Sequence, residues 1–158
     1  MARIEPGDPA PDISMETHTG ETLSLSSFKG EKAVVVFFYP MDGTPVCTKE
    51  ACSFRDAYEE FVEAGAVVIG VSSDTAARHQ AFAARHHLQF VLVDDHDGAI
   101  RKTFGVPKTM GFMPGRVTYV IDKNGIVRHV FSSQLSATKH VQEALACLKS
   151  PEFETAAD

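Results

Sequence analysis

Two cysteines five residues apart carry the clearest chemical indication in the sequence. Cys47 and Cys52 lie in Thr-Pro-Val-Cys-Thr-Lys-Glu-Ala-Cys, residues 44–52, directly after an apolar, strand-like stretch. Threonine followed by proline is typical of a helix N-cap and first helical position, which places Cys47 at the third position. Unpaired backbone N–H groups and the helix dipole there favour the thiolate, the nucleophilic form of cysteine. The sequence thus predicts a reactive Cys47 rather than an inert buried thiol.

The spacing of the two cysteines predicts a switching disulfide rather than a permanent one. In a regular helix, residues five apart have Cα atoms about 8.7 Å from each other, since each residue adds ~1.5 Å and ~100°. A disulfide tolerates no more than about 7 Å. The helix must therefore unwind if Cys47 and Cys52 are to bond; the alternative is that Cys52 packs in the core. Cys147, in an apolar stretch near the end of the chain, is interpreted as a core residue.

Two charged residues could serve the same thiol. Arg116 directly precedes a predicted strand, where it is either a solvated flank or a fixed cation beside the thiolate. Glu50 follows Cys47 by three residues and shares its side of the helix. A carboxylate there fits a thiolate site only if a cation such as Arg116 pairs with it, and the alternative is an ordinary exposed glutamate.

Histidines and aspartates give no comparable indication of a metal. The seven histidines, among them His79 and the adjacent pair at 86–87, match no zinc-ligand spacing and are interpreted as solvated surface residues. The acidic segment 94–97 lacks the spacing of a calcium loop and is interpreted as a polar turn.

The elements that must position these residues alternate between strands and helices. The segment 32–39 has no polar alternation, which is typical of a strand covered on both faces. The predicted order is an N-terminal hairpin (13–15, 22–25), strand 32–39, helix 45–63, strand 66–71, a helix capped by 72–74 and running to 86, strand 90–93, a short helix ending before 105, an irregular loop 106–115, a hairpin (117–121, 126–131) and helix 138–148. This pattern predicts an α/β fold of the thioredoxin-like kind, with a mixed central sheet and helices on both faces.

Composition narrows the class of protein further. A length of 158 residues predicts a single domain over 1–158. Fifteen basic and 21 acidic side chains give a net charge of −6, which argues against nucleic-acid binding. The longest strongly apolar run, 33–39, is far shorter than the ~20 residues of a membrane helix. Without an apolar leader, we expect a reducing, cytoplasmic setting for the three cysteines.

The cysteine segment resembles the active-site motif of a known enzyme family. Its Pro40-x-x-x-Thr44-x-x-Cys47 pattern resembles that of peroxiredoxins, thiol-dependent peroxidases with a thioredoxin-like fold. Arg116, in Pro-Gly-Arg-Val-Thr-Tyr-Val-Ile-Asp, matches the position of their active-site arginine. Cys47 together with Cys52, in Cys-Thr-Lys-Glu-Ala-Cys, resembles the peroxiredoxin Q subfamily, also called bacterioferritin comigratory protein. The similarity extends over nearly the whole chain, from about residue 6 to residue 148.

The resemblance implies a role for each residue of the motif. Cys47 would be the peroxidatic cysteine, which attacks the peroxide O–O bond and becomes a sulfenic acid. Thr44 and Arg116 would orient and polarise the peroxide, Pro40 would shield the sulfur, and Glu50 would orient Arg116.

The resemblance also implies a catalytic cycle and its partners. Cys52 would resolve the sulfenic acid as an intramolecular disulfide that thioredoxin, or a related dithiol protein, reduces. The substrates would be hydrogen peroxide and alkyl hydroperoxides, and the chemistry needs no metal, flavin or haem. Because both cysteines lie in one helix, no partner subunit is needed and we expect a monomer.

One residue departs from the subfamily pattern. Many of its members have glycine immediately before the peroxidatic cysteine, whereas this chain has Val46, a residue that also occurs across the wider family. A β-branched residue is stiffer than glycine, so Val46 bears on the rate of local unwinding and not on the chemistry.

Three other functions remain compatible with the residues. A general dithiol–disulfide oxidoreductase would use the same fold, although such proteins usually carry Cys-x-x-Cys. A redox-sensing or chaperone-like binding protein could use the apolar loop 110–113 as a contact surface. Zinc could bind Cys47, Cys52 and a histidine.

Overall fold

The computed structural model describes residues 4–95, 97–106, 108–109, 113–133 and 136–150. Within these ranges every helix is too short or too polar to span a bilayer. The strands are β1 (Ser14–Glu16), β2 (Thr22–Ser24), β3 (Ala33–Phe38), β4 (Ala66–Ser72), β5 (Val91–Asp94), β6 (Lys108–Thr109), β7 (Met113–Pro114), β8 (Val117–Ile121) and β9 (Val127–Ser132). The α-helices are α1 (Pro45–Asp56), α2 (Tyr58–Glu63), α3 (Ala76–His86), α4 (Ala99–Phe104) and α5 (Ala137–Leu148), and a 3₁₀ turn spans Leu25–Phe28.

A five-stranded mixed sheet forms the centre, with strand order β5-β4-β3-β8-β9. Strands β3, β4 and β5 run parallel, while β8 is antiparallel to both β3 and β9. A separate antiparallel pair, β1 and β2, is the predicted N-terminal hairpin. The mixed α/β fold expected from the sequence is therefore confirmed.

Alternate residues of β3 face two separate cores, because side chains alternate across a strand. Val35 and Phe37 pack with side chains from α1, α2, α3 and α5. Val34 and Val36 pack on the other face with the N-terminal hairpin and α4. All six residues of β3 are buried, so the sheet is covered on both faces.

The segment predicted as one helix over 45–63 is two helices. At Ala57 the backbone departs from helical geometry, with φ −96° and ψ 7°, and α2 begins at Tyr58. Phe54 and Phe61 lie on either side of this bend, are fully buried and approach with ring centroids 5.6 Å apart. Packing of both rings into one core sets the bend, which local residue preferences do not reveal.

Two other details differ from the sequence expectations. The cap of α3 is Thr75, whose hydroxyl accepts from the Arg78 backbone N–H, and not the predicted segment 72–74. The expected irregular loop 106–115 contains the short antiparallel pair β6 and β7. Residues 107 and 110–112, part of the apolar loop singled out above, lie outside the described residues.

Candidate active site

The loop after β3 leads into the first turn of α1 and delivers Cys47. Thr44 is the N-cap with extended backbone, φ −78° and ψ 153°, and Pro45 is the first helical residue. Cys47 therefore occupies the third helical position, as predicted. The Thr44 hydroxyl does not cap the helix; it donates to the Met41 carbonyl oxygen at 2.9 Å. That bond closes the loop on itself, and the Thr44 side chain leaves the first-turn N–H groups of α1 uncapped.

The antiparallel pairing of β3 with β8 brings Arg116 to the same place. Phe38, the last residue of β3, pairs with Val117, the first residue of β8. Arg116 therefore lies next to the point where the chain leaves β3 for the Cys47 loop. The sequence left open whether Arg116 was a solvated flank, and its 3% exposure shows that it is not.

Arg116 connects the thiol to a buried carboxylate. Its Nη2 donates to the Cys47 sulfur at 3.2 Å, and its Nη1 donates to Glu50 Oε1 at 2.6 Å. Burial works against the arginine charge, but the negative charges of Glu50 and Cys47 outweigh it and raise the pKa of Arg116. A permanent cation beside the sulfur favours the thiolate over the thiol.

Glu50 is fully buried, so the alternative of an exposed first-turn glutamate is wrong. Burial raises the pKa of Glu50 to about 7, although Arg116 opposes the shift. Its second oxygen, Oε2, has no hydrogen-bond partner among the described residues and lies 3.5 Å from Nδ1 of His140. Glu50 therefore gains or loses its negative charge close to neutral pH, while its other oxygen is in contact with Arg116.

His140 from α5 closes the far side of this carboxylate. Its Nε2 donates to the Ser133 carbonyl oxygen at 2.8 Å, and its Nδ1 lies 2.7 Å from the Thr118 hydroxyl. Burial and then the charge of Arg116 lower the pKa of His140 to about 4, so the ring is neutral at pH 7. A neutral ring with Nε2 protonated accepts at Nδ1 from Thr118. His140 is fully buried, so its interpretation as a solvated surface residue is wrong.

The remaining cysteines lie away from this cluster of polar contacts. All three cysteines are free, Cys47 buried and Cys52 and Cys147 half-buried. Cys147 packs against the core on the α1 side of the sheet, as predicted, and burial raises the pKa of its thiol to about 11. Pro40, half-buried, begins the loop that precedes Thr44.

A second buried network lies beneath the Cys47 loop, and sequence reasoning missed it. Asp42, 5% exposed, accepts a hydrogen bond from the Tyr39 hydroxyl at Oδ1 and faces Nδ1 of His79 at Oδ2, both at 2.5 Å. The other ring nitrogen of His79, Nε2, lies 2.9 Å from the Val93 carbonyl oxygen. His79 is fully buried, which corrects its interpretation as a surface residue.

Asp74 extends this network to the backbone of the loop. Its Oδ2 accepts from the Asp42 N–H at 2.8 Å and from the Ser72 hydroxyl at 2.7 Å. Its Oδ1 pairs with Arg78 at 3.2 Å. Helical periodicity could have identified His79, because it lies three and four residues before Phe82 and Ala83 on the buried face of α3.

In the described part of the chain, a group of side chains of the types that bind metals lies close together: Asp42, Asp74 and His79. Their potential ligand atoms are all within 4.8 Å of one another. Each of these side chains already has hydrogen-bond or ion-pair partners inside the protein. The group contains no cysteine, so it does not correspond to the zinc site considered from the sequence. The arrangement is that of a satisfied polar network.

The chain is similar to known proteins both in sequence and in fold. The AhpC/TSA family model matches residues 6–130. A chloroplastic peroxiredoxin Q from Populus jackii is 48% identical over 151 residues, which cover 95% of this chain and 70% of the relative. Peroxidoxin BcpB from Mycobacterium tuberculosis superposes with a TM-score of 0.86 at 37% identity, over 93% of this chain and 97% of that one. A peroxiredoxin Q from Xanthomonas campestris gives 0.83 at 29% identity, over 91% and 96%.

The family match covers most of the chain and includes the cysteine loop, α1 and β8. Relatives of this identity and coverage make the protein a peroxidase, an oxidoreductase that works through a thiol. The chain is thus a peroxiredoxin of the AhpC/TSA family, in the peroxiredoxin Q or bacterioferritin comigratory protein subfamily.

Proposed function

We propose that Cys47 is the peroxidatic cysteine and reduces hydrogen peroxide and alkyl hydroperoxides. The observation that carries the proposal is the contact of Arg116 Nη2 with the Cys47 sulfur, at 3.2 Å, in the first turn of a helix. The thiolate attacks one peroxide oxygen, the O–O bond breaks, and the sulfur becomes a sulfenic acid. The leaving hydroxide or alkoxide takes up a proton and departs as water or an alcohol.

The neighbouring residues prepare this displacement. Arg116 stabilises the thiolate and the charge that develops on the peroxide oxygens. Glu50 holds Arg116 in place through the 2.6 Å contact. Thr44, at the N-cap, orients the peroxide, and Pro40 shields the sulfur from bulk water. Peroxide and thiols are the only reactants in this step.

Cys52 resolves the sulfenic acid. Its thiolate attacks the Cys47 sulfur, a disulfide forms, and the sulfenic oxygen leaves as water. Both cysteines belong to α1, where a five-residue separation of about 8.7 Å between Cα atoms is too long for a disulfide. The start of α1 therefore unwinds before the bond forms.

A dithiol protein of the thioredoxin type regenerates the enzyme. One of its thiolates attacks the Cys47–Cys52 disulfide, a mixed disulfide forms, and its second thiolate releases the reduced peroxidase. Because resolution is internal to one chain, we propose a monomer as the working unit. The reducing compartment is proposed to be the cytoplasm, whereas the plant relatives are named chloroplastic.

One digestion experiment tests the assignment of both cysteines. The protein is fully reduced, treated with one equivalent of hydrogen peroxide and digested with trypsin without reducing agent. Trypsin cleaves after Lys49, between the cysteines, so the expected product is peptide 33–49 linked to peptide 50–55, with Cys147 free.

The other products each overturn part of the proposal. A stable sulfenic acid on Cys47 without a link would show that Cys52 is not the resolving residue. A link from Cys47 to Cys147 would assign resolution to the last helix. An unoxidised Cys47 would remove it as the peroxidatic residue.

A further inference from the structure

We propose that His79 is a positioning residue whose protonated ring, through Asp42, holds the Cys47 loop in its closed conformation and releases it when the ring loses a proton. The link to disulfide formation rests on the proposed function, whereas the link between His79 and the loop does not. His79 touches neither Cys47 nor Arg116 in the contacts described; it acts through the loop 40–44.

The loop is joined to the neighbouring elements mainly by polar contacts. Asp42 is held at three points, its side chain by His79 and by the Tyr39 hydroxyl and its backbone N–H by Asp74. Further out, a groove of about 460 Å³ separates the start of α1 from α3, with Gly43, Pro45 and Thr48 on one side. The groove leaves the loop open on that side, and the buried network on the other side holds Asp42.

The hydrogen bonds of His79 require both of its ring protons. A carbonyl oxygen only accepts, so Nε2 must donate to Val93, and the carboxylate oxygen of Asp42 accepts from Nδ1. The neutral ring carries one proton and can satisfy one of the two contacts. Its other nitrogen would then present a lone pair to a buried acceptor, which is costly because the site excludes water.

The charges around His79 favour the protonated ring. Burial opposes the charge, but the hydrogen bond and charge of Asp42, followed by contributions from Val93 and Asp74, raise the pKa of His79 above 6.5. The groups facing it from the neighbouring elements are Tyr39 at the end of β3, Asp42 in the loop, Asp74 before α3, Arg78 paired with Asp74, and His18 near the hairpin.

Two of these groups do not compete with His79 for a proton in the neutral range. Burial and the charge of Asp42 raise the pKa of Tyr39 well above its ordinary value, so the phenol remains a donor. Burial lowers the pKa of His18, and the positive charge of His79 adds to the shift. His79 consequently keeps its second proton to a higher pH than an ordinary imidazole does.

Release of Asp42 would act on α1 through the chain that joins them. Asp42 is followed by Gly43, whose φ of +83° suits a pivot, and then by Thr44 and the first helical turn. With Asp42 held, that turn starts from a fixed point. With Asp42 released, the first turn of α1 opens more readily, which slows attack on peroxide and speeds formation of the Cys47–Cys52 disulfide.

The direct test is a titration of the reduced wild-type protein by long-range ¹H–¹⁵N NMR. Both His79 nitrogens are expected to be protonated at about pH 6.5 and to lose a proton at higher pH, together with shifts of the amide signals of residues 41–44. A neutral His79 at the lower pH would overturn the proposal, and so would a titration that leaves those amide signals unchanged.

A variant tests the mechanical consequence without peroxide. In His79→Gln, the Thr48 amide, which donates to Thr44 in the first turn, should exchange with solvent about tenfold faster, the effect of losing one hydrogen bond to a charged group. His86→Gln on the same helix is the matched control and should leave this exchange unchanged, as should the amides of β8 in both variants. Equal exchange in the two variants would overturn the proposal.

The outcome also separates this inference from the proposed function. If His79→Gln loosens the first turn and also speeds disulfide formation after peroxide addition, both stand. If the first turn loosens but Cys47 never oxidises, the peroxidase assignment of Cys47 fails and the positioning role stands. If His79→Gln does not fold, the wild-type titration still decides the inference.

Discussion

At the scale of single residues, the site depends on the shape of one guanidinium group. Arg116 uses two different nitrogens, Nη2 for Cys47 and Nη1 for Glu50, and is 3% exposed. A lysine ammonium carries the same charge on one nitrogen and lacks the rigid fork. Charge alone therefore does not reproduce the arrangement, because a lysine would have to reach both the sulfur and the carboxylate from a single nitrogen at the end of a flexible chain.

The first prediction separates shape from charge. Arg116→Lys should lower kcat/KM for hydrogen peroxide by about 10²- to 10³-fold, the usual cost of removing one donor that stabilises a developing charge. Arg128→Lys is the matched control, because Arg128 also pairs with a buried carboxylate, Asp122 at 2.6 Å, far along the sheet from Cys47. Competition kinetics against a second peroxidase measure both values, and similar losses in the two variants would contradict the prediction.

The residues that the sequence did not reveal are buried histidines. Cys47, Thr44 and Pro40 can be found from their order along the chain, and Arg116 from the strand that it precedes. His79 and His140 lie on α3 and α5 among buried neighbours at helical spacing, such as Phe82 and Ala144. Histidine is common both on surfaces and in cores, so the residue type does not predict whether it is buried. Only the periodicity of the apolar residues around it does.

At the scale of elements, the first turn of α1 has to meet two opposing requirements. It must be folded to place Cys47 beside Arg116, and it must open if Cys47 is to meet Cys52. Val46, at the second helical position and half-buried, stiffens the turn because it is β-branched. We therefore expect the residue before the thiol to influence how readily this turn opens.

The second prediction follows from that balance. Val46→Gly should speed disulfide formation after sulfenic acid formation by about twofold, since glycine in a helix costs ~0.4 kcal/mol more than valine. Val62→Gly, at an exposed position of α2, is the control for a general loss of helix stability and should leave the rate unchanged. Quenched-flow sampling with mass spectrometry gives the rate; no change or a slower rate in Val46→Gly would contradict the prediction.

The order of the elements could be predicted, whereas several of their ends could not. Continuous apolar strands, turn residues and helical spacing predicted the α/β order, the N-terminal hairpin and the hairpin of β8 and β9. The bend at Ala57 was missed because tertiary packing of Phe54 and Phe61 sets it. The cap of α3 was misplaced because Asp74 was assigned to local capping and instead bonds to Asp42, 32 residues away in sequence.

At the scale of the whole molecule, close packing in the core on the α1 side of the sheet leaves no room for a side chain at Gly70 on β4. A Cβ atom added at Gly70 would lie 2.8 Å from Leu92 Cδ2 and 2.8 Å from Phe37 Cζ. Both side chains are fully buried, so neither can turn outward. Close packing of this kind makes even one extra methyl group costly.

The third prediction concerns this contact. Gly70→Ala should lower the free energy of unfolding by about 1–3 kcal/mol, measured by urea denaturation. A double-mutant cycle with Leu92→Ala provides the control, because residues in contact do not behave additively. The double variant should lose less stability than the sum of the two single losses, and strict additivity would contradict the steric explanation.

The fourth prediction concerns the pH dependence of stability, to which Glu50 and His140 contribute with opposite sign. The folded pKa of Glu50 is raised from 4.5 to about 7, so its contribution is present below pH 4.5 and is lost as pH rises towards 7. The folded pKa of His140 is lowered from 6.5 to about 4, so its contribution is present above pH 6.5 and is lost as pH falls towards 4. Each accounts for at most about 3 kcal/mol.

Replacing either Glu50 or His140 should reveal the pH dependence of the free energy of unfolding that the other residue causes. Between pH 4.5 and 6.5, the two contributions largely offset each other in the wild type. Relative to the wild type, stability should rise with pH in Glu50→Gln and fall with pH in His140→Asn. Chemical denaturation at several pH values measures both slopes, and parallel profiles in the two variants would contradict the assigned shifts.

The burial of the reactive sulfur has a consequence for the direction of electron flow. Cys47 is 1% exposed, so in the closed conformation a bulky disulfide cannot line up with its sulfur. On the proposed cycle, oxidation occurs in the closed conformation and reduction in the opened one. On that cycle each half-reaction has its own conformation, and we expect that disulfides in the cell do not oxidise the resting enzyme in the absence of peroxide.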